Sequence, residues 1–221
     1  MQRVTIYELF DIFEEAVKGF PPTLVEHTYA WTKSPFFTLV STILSARTKD
    51  SLTITKLPAL WERAKTPKDF MEIKQPELEP LLHPIGFYKT KAKHLIQLGT
   101  IVHTELRDIV PETIDELVKL PGVGRKTANL QVSVVGEEPA ICVDTHVHRI
   151  MNHLNYVQTA TPEETEFALR AKLPVDLWRR ANRILVLVGQ HLANHHQMKD
   201  PNNILNQYHL TSEETTPEKQ S

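Results

Sequence analysis

Lys126 sits in the run Leu120-Pro121-Gly122-Val123-Gly124-Arg125-Lys126-Thr127-Ala128, and Asp144 follows in Val143-Asp144-Thr145-His146-Val147-His148-Arg149. An amine in the first turn of a helix, with the Arg125 cation adjacent, feels two positive fields that favour its neutral, nucleophilic form. Such an amine can attack a sugar C1′, expel the base and leave a Schiff base. A nearby carboxylate stabilises the cationic sugar and assists proton transfers. The iminium acidifies the 2′ proton, so the same centre can then break the strand on the 3′ side by β-elimination. Asp144 alone also reads as a helix N-cap, because aspartate satisfies the free N–H groups of a helix start.

Gly122 and Gly124 can take positive φ and carry no Cβ, so backbone N–H groups can approach an anion closely while the chain reverses. On this reading Gly122, Val123, Gly124, Arg125 and Thr127 form a phosphate-binding hairpin around Lys126. The plainer reading is an ordinary turn between two helices. Apolar Ile114, Leu117, Val118 and Leu120 precede the turn. Helix, hairpin and helix then follow in order.

The elements that must position these groups read as helices. Seven glycines against fifteen prolines is an unusual balance for a β protein rich in tight turns. Thr66-Pro67-Lys68-Asp69 and Thr161-Pro162-Glu163-Glu164 each place an N-cap, a proline at the first helical position and an acid after it, and Thr113-Ile114-Asp115-Glu116 is a capping box without the proline. Apolar residues recur at helical spacing over 7–17 (Leu9, Phe10, Phe13, Ala16, Val17) and 36–46 (Leu39, Val40, Ile43, Leu44). Ile184-Leu185-Val186-Leu187-Val188 suits a buried strand by its apolar run. It lies inside a proline-free segment, 177–194, and is read as a buried helix.

A chain of 221 residues can bury a proper core. Its formal charge of −2 provides no global pull toward nucleic acid, so any such affinity has to come from local basic clusters. Cys142 is the single cysteine, which excludes an internal disulfide and an all-cysteine metal site within one chain. No apolar stretch reaches membrane-spanning length, and residues 1–6 carry no signal core. The expected location is the cytoplasm or nucleoid, with no membrane partner.

From about residue 34 to 193 the chain resembles the endonuclease III family of helix-hairpin-helix DNA glycosylases with abasic-site lyase activity. The resemblance is carried by Ser34-Pro35-Phe36, Leu44-Ser45-Ala46-Arg47-Thr48-Lys49-Asp50, Ile85-Gly86-Phe87-Tyr88-Lys89-Thr90-Lys91-Ala92, the hairpin run and Val143-Asp144-Thr145-His146. It implies Lys126 as the nucleophile and Asp144 as the essential carboxylate. A lysine at that position favours a bifunctional enzyme, one that removes an oxidised pyrimidine and then cleaves the strand.

Family members flip the damaged nucleotide out of the duplex, which needs side chains to fill the gap and wedge the partner strand. Arg47 stands where a gap-filling glutamine is usual, and can equally be a phosphate contact. Phe87 stands where an apolar wedge is common, and can equally be core. Lys89 and Lys91, with His146 and Arg149, are further candidates for contacting damaged double-stranded DNA. A solvated charged face is their plain alternative.

The resemblance also implies an all-α, two-lobed fold and a monomer. A six-helix barrel lobe is expected over 28–138, a second lobe from 1–27 with 139–210, and a disordered tail over 211–221. Most family members hold a four-iron, four-sulfur cluster on four cysteines. In register those positions fall near Ala193, Asp200, Asn203 and His209, none of which supplies a thiolate, so no cluster and no other cofactor is expected. His191, His195, His196 and His209 invite a metal reading, but adjacent His195 and His196 cannot easily share one ion on a helix. Packing through Trp178, Ile184, Leu185, Val188 and Leu192 is expected to close that lobe. Two other functions remain open at this point: an abasic-site lyase with weak or altered glycosylase activity, and a non-catalytic DNA-binding module.

Overall fold

The computed structural model describes residues 2–194 and 196–211. In chain order the elements are β1 (Gln2–Val4), α1 (Ile6–Val17), α2 (Leu24–Thr32), α3 (Pro35–Ser45), α4 (Asp50–Arg63), α5 (Pro67–Glu72), α6 (Gln75–Leu82), α7 (Tyr88–Thr104), α8 (Ile114–Leu117), α9 (Arg125–Val135), α10 (Thr145–His153), α11 (Pro162–Lys172), α12 (Trp178–Leu187) and β2 (Tyr208–Leu210). The chain divides into two compact units, Leu24–Ala140 and Met1–Thr23 with Ile141–Ser221, where bounds of 28 and 138 were expected for the first.

The helix starts follow the capping chemistry. Thr66, Thr113 and Thr161 accept hydrogen bonds from the backbone N–H of Asp69, Glu116 and Glu164, satisfying donors that a helix start leaves over. Thr5 does the same for Glu8, in a capping box not anticipated from the sequence. The helix before the hairpin is short, Ile114–Leu117, because Val118 to Leu120 already turn toward the glycines.

In the 24–140 unit, α3 is the central helix and packs against α2, α4, α7 and α9. Phe36 to Leu44 are buried along its length, including Thr38, Ser41 and Thr42. Those three hydroxyls bond back to the carbonyls of Ser34 and Thr38, so no polar group is stranded among the apolar ones. Phe37, Phe70, Leu78, Leu95 and Leu98 complete the core around it.

In the other unit, Leu9, Phe10 and Phe13 of α1 share a core with Ile150, Ile184, Leu185 and Val188. The 184–188 run is helical, as expected, and α12 continues into a π-helical turn, Val188–Leu192. Arg180 on α12 reaches Asp11 and Glu14 of α1. The two three-residue strands pair in parallel, Gln2 with Tyr208 and Val4 with Leu210, adding a small sheet to an otherwise helical fold. Thr211 N–H donates to the Val4 carbonyl, so the ordered pairing runs one residue into the expected tail; residues 212–221 lie outside those described. No helix among the described residues is long and apolar enough to cross a membrane.

Candidate functional site

The hairpin is built by Gly122. Its φ of +78° lies where side chains are disfavoured, and a Cβ there would press on the His94 ring at 3.1 Å. Val123 N–H closes the turn onto the Leu120 carbonyl, and both side chains are buried beneath it. Gly124 does not take positive φ. At φ −93°, ψ 172° it is the N-cap of α9, and a Cβ there would meet nothing within 4 Å. The chain's own packing therefore leaves room for a side chain at Gly124; the open space admits something from outside.

Arg125 and Lys126 open α9 and are exposed, whereas Thr127 is buried. An eleven-residue helix thus directs the positive end of its dipole at the hairpin, with an amine and a guanidinium beside it. Val123 and Thr127, expected as contacts, both have buried side chains.

Arg47 and Phe87 are both exposed, Phe87 at 64%, and both have left-handed backbone, φ 55° and 58°. Phe87 is therefore not core. Lys89 and Lys93 are exposed near the start of α7. Lys91 is different, and its expected role in contacting phosphate is corrected. It is only 7% exposed, and its ammonium donates to the carbonyls of Leu44 and Ala46 at 2.8 and 2.7 Å and to Thr48 Oγ1 at 3.1 Å. Burial pulls its pKa down to about 8, which still leaves the ammonium form dominant at neutral pH. The signal was present in the sequence: Lys91 heads the stripe Lys91, Leu95, Leu98, Val102, the buried face of α7.

In the second unit, Asp144 is the N-cap of α10. One carboxylate oxygen accepts from His146 N–H at 2.9 Å and Val147 N–H at 3.0 Å. The cap and the carboxylate are one group, and the two readings of the sequence do not compete at that position. His146 packs against Gly189 of the π-helical turn, where a Cβ would run into its ring. Arg149 is half-buried. Its guanidinium donates to Met198 Sδ and to the Ala193 carbonyl, each at 3.2 Å, and lies 3.2 Å from His146 Nδ1. These bonds tie it to Ala193 and Met198 of its own unit.

That segment does not suit an iron–sulfur cluster. Ala193 is fully buried without a donor atom. Asn203 donates its amide to the Leu192 carbonyl and accepts from Leu205 N–H, and Asp200 accepts from Asn202 N–H. The one thiol, Cys142, is buried in the core of the unit, beside the Asn182 amide that binds its carbonyl. Of the four histidines, His191 stacks on Phe20 at 4.2 Å, His209 is exposed on β2, and His195 lies outside the described residues. No group of three or more His, Cys, Asp or Glu suited to a metal occurs among the described residues.

The 24–140 unit also has a cavity of about 300 Å³, walled by Ser34, Pro35, Phe36, Pro67, Val110 and Gln131 among others. None of the residues expected to act on a ligand lines it.

Residues 40–175 match the family described as HhH-GPD superfamily base excision DNA repair protein. Over 183 residues the chain is 41% identical to endonuclease III of Thermotoga maritima, covering 83% of each chain. It is also 41% identical over 155 residues to endonuclease III-like protein 1 of Gallus gallus, covering 69% of this chain and 55% of that longer relative. Its fold is similar to that of a non-covalent endonuclease III–DNA complex, with a TM-score of 0.80 and 30% identity over 90% of this chain and 91% of the other.

Proposed function

Because the chain belongs to the HhH-GPD superfamily of base excision DNA repair proteins, we propose that it is a bifunctional DNA glycosylase and abasic-site lyase that removes oxidised pyrimidines from duplex DNA. The observation that carries this reading is an exposed lysine, Lys126, in the first turn of α9, directly after a hairpin whose Gly124 leaves open space. A monofunctional enzyme that activates water has no need of an amine there.

In the proposed reaction the hairpin N–H groups and Arg125 hold the phosphate backbone. The neutral Lys126 amine attacks C1′ as the C1′–N bond to the base breaks, and the base leaves with a proton. The Asp144 carboxylate stabilises positive charge on the sugar and relays protons. The sugar ring then opens as the C1′–O4′ bond breaks and O4′ takes up a proton, giving the iminium; loss of its 2′ proton expels the 3′ phosphate, and hydrolysis frees Lys126. Arg47 and Phe87 fill and wedge the stack from which the nucleotide was turned out.

Borohydride trapping on duplexes carrying either thymine glycol or an abasic site tests the reading. A covalent adduct on both supports it. An adduct on the abasic duplex alone favours an abasic-site lyase with an altered base pocket, an outcome to which Arg47 in the gap-filling position lends weight. Absence of any adduct on either would remove the lyase and leave a DNA-binding module.

We also infer that the second unit closes without a cluster, on the strength of its single buried thiol and the asparagine bonds at 194–206. Purified protein is expected to show no iron on elemental analysis and no absorbance in the iron–sulfur region. Stoichiometric iron would overturn this inference.

A further inference from the structure

Arg47 and Phe87 stand on adjoining turns of the 24–140 unit, each bent through left-handed backbone that neither residue type favours. Such a conformation persists only where its surroundings over-determine it. Three observations show what holds these two. Lys91, one turn into α7, directs three hydrogen bonds into the segment around Arg47, at Leu44, Ala46 and Thr48. The Leu44 and Ala46 carbonyls lie at the C-terminal end of α3, where the helix dipole is negative and a buried cation is favoured. From the Phe87 side, Gly86 lies so close that a Cβ would come within 3.1 Å of the Arg47 carbonyl and 3.3 Å of Thr48 Oγ1. Thr48 Oγ1 is thus approached by both the Lys91 ammonium and the Gly86 backbone.

Phe87 is itself the N-cap of α7, and Lys91 N–H bonds to its carbonyl at 2.9 Å. Lys91 therefore grips the Phe87 turn through its backbone and the Arg47 turn through its side chain. Resting on the reading that this protein turns nucleotides out of a duplex, we propose that Lys91 is a positioning residue that ties these turns together, so that Arg47 and Phe87 enter the base stack as one rigid pair. Two side chains that act on opposite sides of one vacated site have to arrive in register. A turn free to swing would spend binding energy on ordering itself, and a preset pair avoids that loss. The ammonium suits the task because it satisfies three acceptors at once from a buried position, where an amide or hydroxyl offers fewer protons.

Lys91→Met keeps most of the apolar stem and removes the cation. With a thymine glycol duplex under single-turnover conditions, excision is expected to fall on the order of 10- to 100-fold, the range caused by displacing a positioned group by about 1 Å. Trapping on a preformed abasic duplex, where less unstacking is required, is expected to fall far less. In an Arg47→Ala background the added effect of Lys91→Met is expected to shrink to about twofold or less, because there is no longer a pair to hold in register. An equal loss in both backgrounds overturns the proposal.

Gly86→Ala provides a second route should Lys91→Met fail to fold: it retains Lys91 but pushes the turns apart by a few tenths of an ångström. The same preference for loss of excision over loss of trapping is expected. A Gly86→Ala enzyme with unchanged excision counts against the tie. Amide exchange separates this from the functional reading, since Lys91→Met is expected to speed exchange at residues 46–49 and 86–88 selectively. Unchanged exchange there overturns the proposal even if the wild-type protein excises and traps normally. A wild-type protein that does neither, with exchange altered as expected, retains the tie and loses the functional reading.

Discussion

Lys126→Ala is expected to form no borohydride-stable adduct with an abasic duplex and to cleave it slower by several orders of magnitude. The Schiff base needs a primary amine, and neither water nor Arg125 replaces it. The variant separates chemistry from folding cleanly. Lys126 is exposed near the start of α9, and alanine is the best helix former, so stability is expected to stay within about 0.5 kcal/mol. Lys126→Arg sharpens the test by retaining the charge beside the hairpin. Duplex affinity and its salt dependence are expected to be preserved while the adduct is lost. Adduct formation by either variant at the wild-type rate would show that another amine carries the reaction.

Asp144→Asn is expected to retain the fold and duplex binding while excision of thymine glycol drops on the order of 100-fold or more, the scale of losing one preorganised electrostatic contact to a charged transition state. Two roles fall on one side chain here. The carboxylate oxygen accepts from His146 and Val147 N–H, and an asparagine oxygen can accept the same two bonds. Asparagine caps helices about as well as aspartate, so the melting temperature is expected to move little. What the substitution removes is the negative charge. Asp144→Ala removes both and is expected to cost about 1 kcal/mol more in stability. The comparison by thermal melting and single-turnover excision is decisive: Asn at the wild-type excision rate would reduce Asp144 to a cap.

Local chemistry made much of the fold legible. Threonines followed within three residues by an acid start helices because of bonds formed over that short span, and α5, α8 and α11 begin where those runs stand. The Gly122 turn was legible for the same reason. Lys91 was misread because a cation has two ordinary fates, solvent or a buried set of carbonyls, and only tertiary packing decides between them. For Lys91 the apolar stripe of α7 held a local clue. The Arg149 bonds had no local clue, since Met198 and Ala193 lie more than forty positions away. The β1–β2 pairing was invisible for a related reason: three-residue strands carry almost no periodic signal, and their partners are far apart in sequence.

That pairing also bears on how the protein is made. Residues 2–4 are synthesised long before their partners at 208–210, which follow all of α12, whereas residues 24–140 form a compact unit from one continuous stretch. Units that are continuous in sequence can fold during synthesis, and those needing distant segments wait for them. The unit bearing Lys126 is accordingly complete while the first strand is still without its partner. The helix capped by Asp144 settles into a finished core only once residues 208–210 have been made.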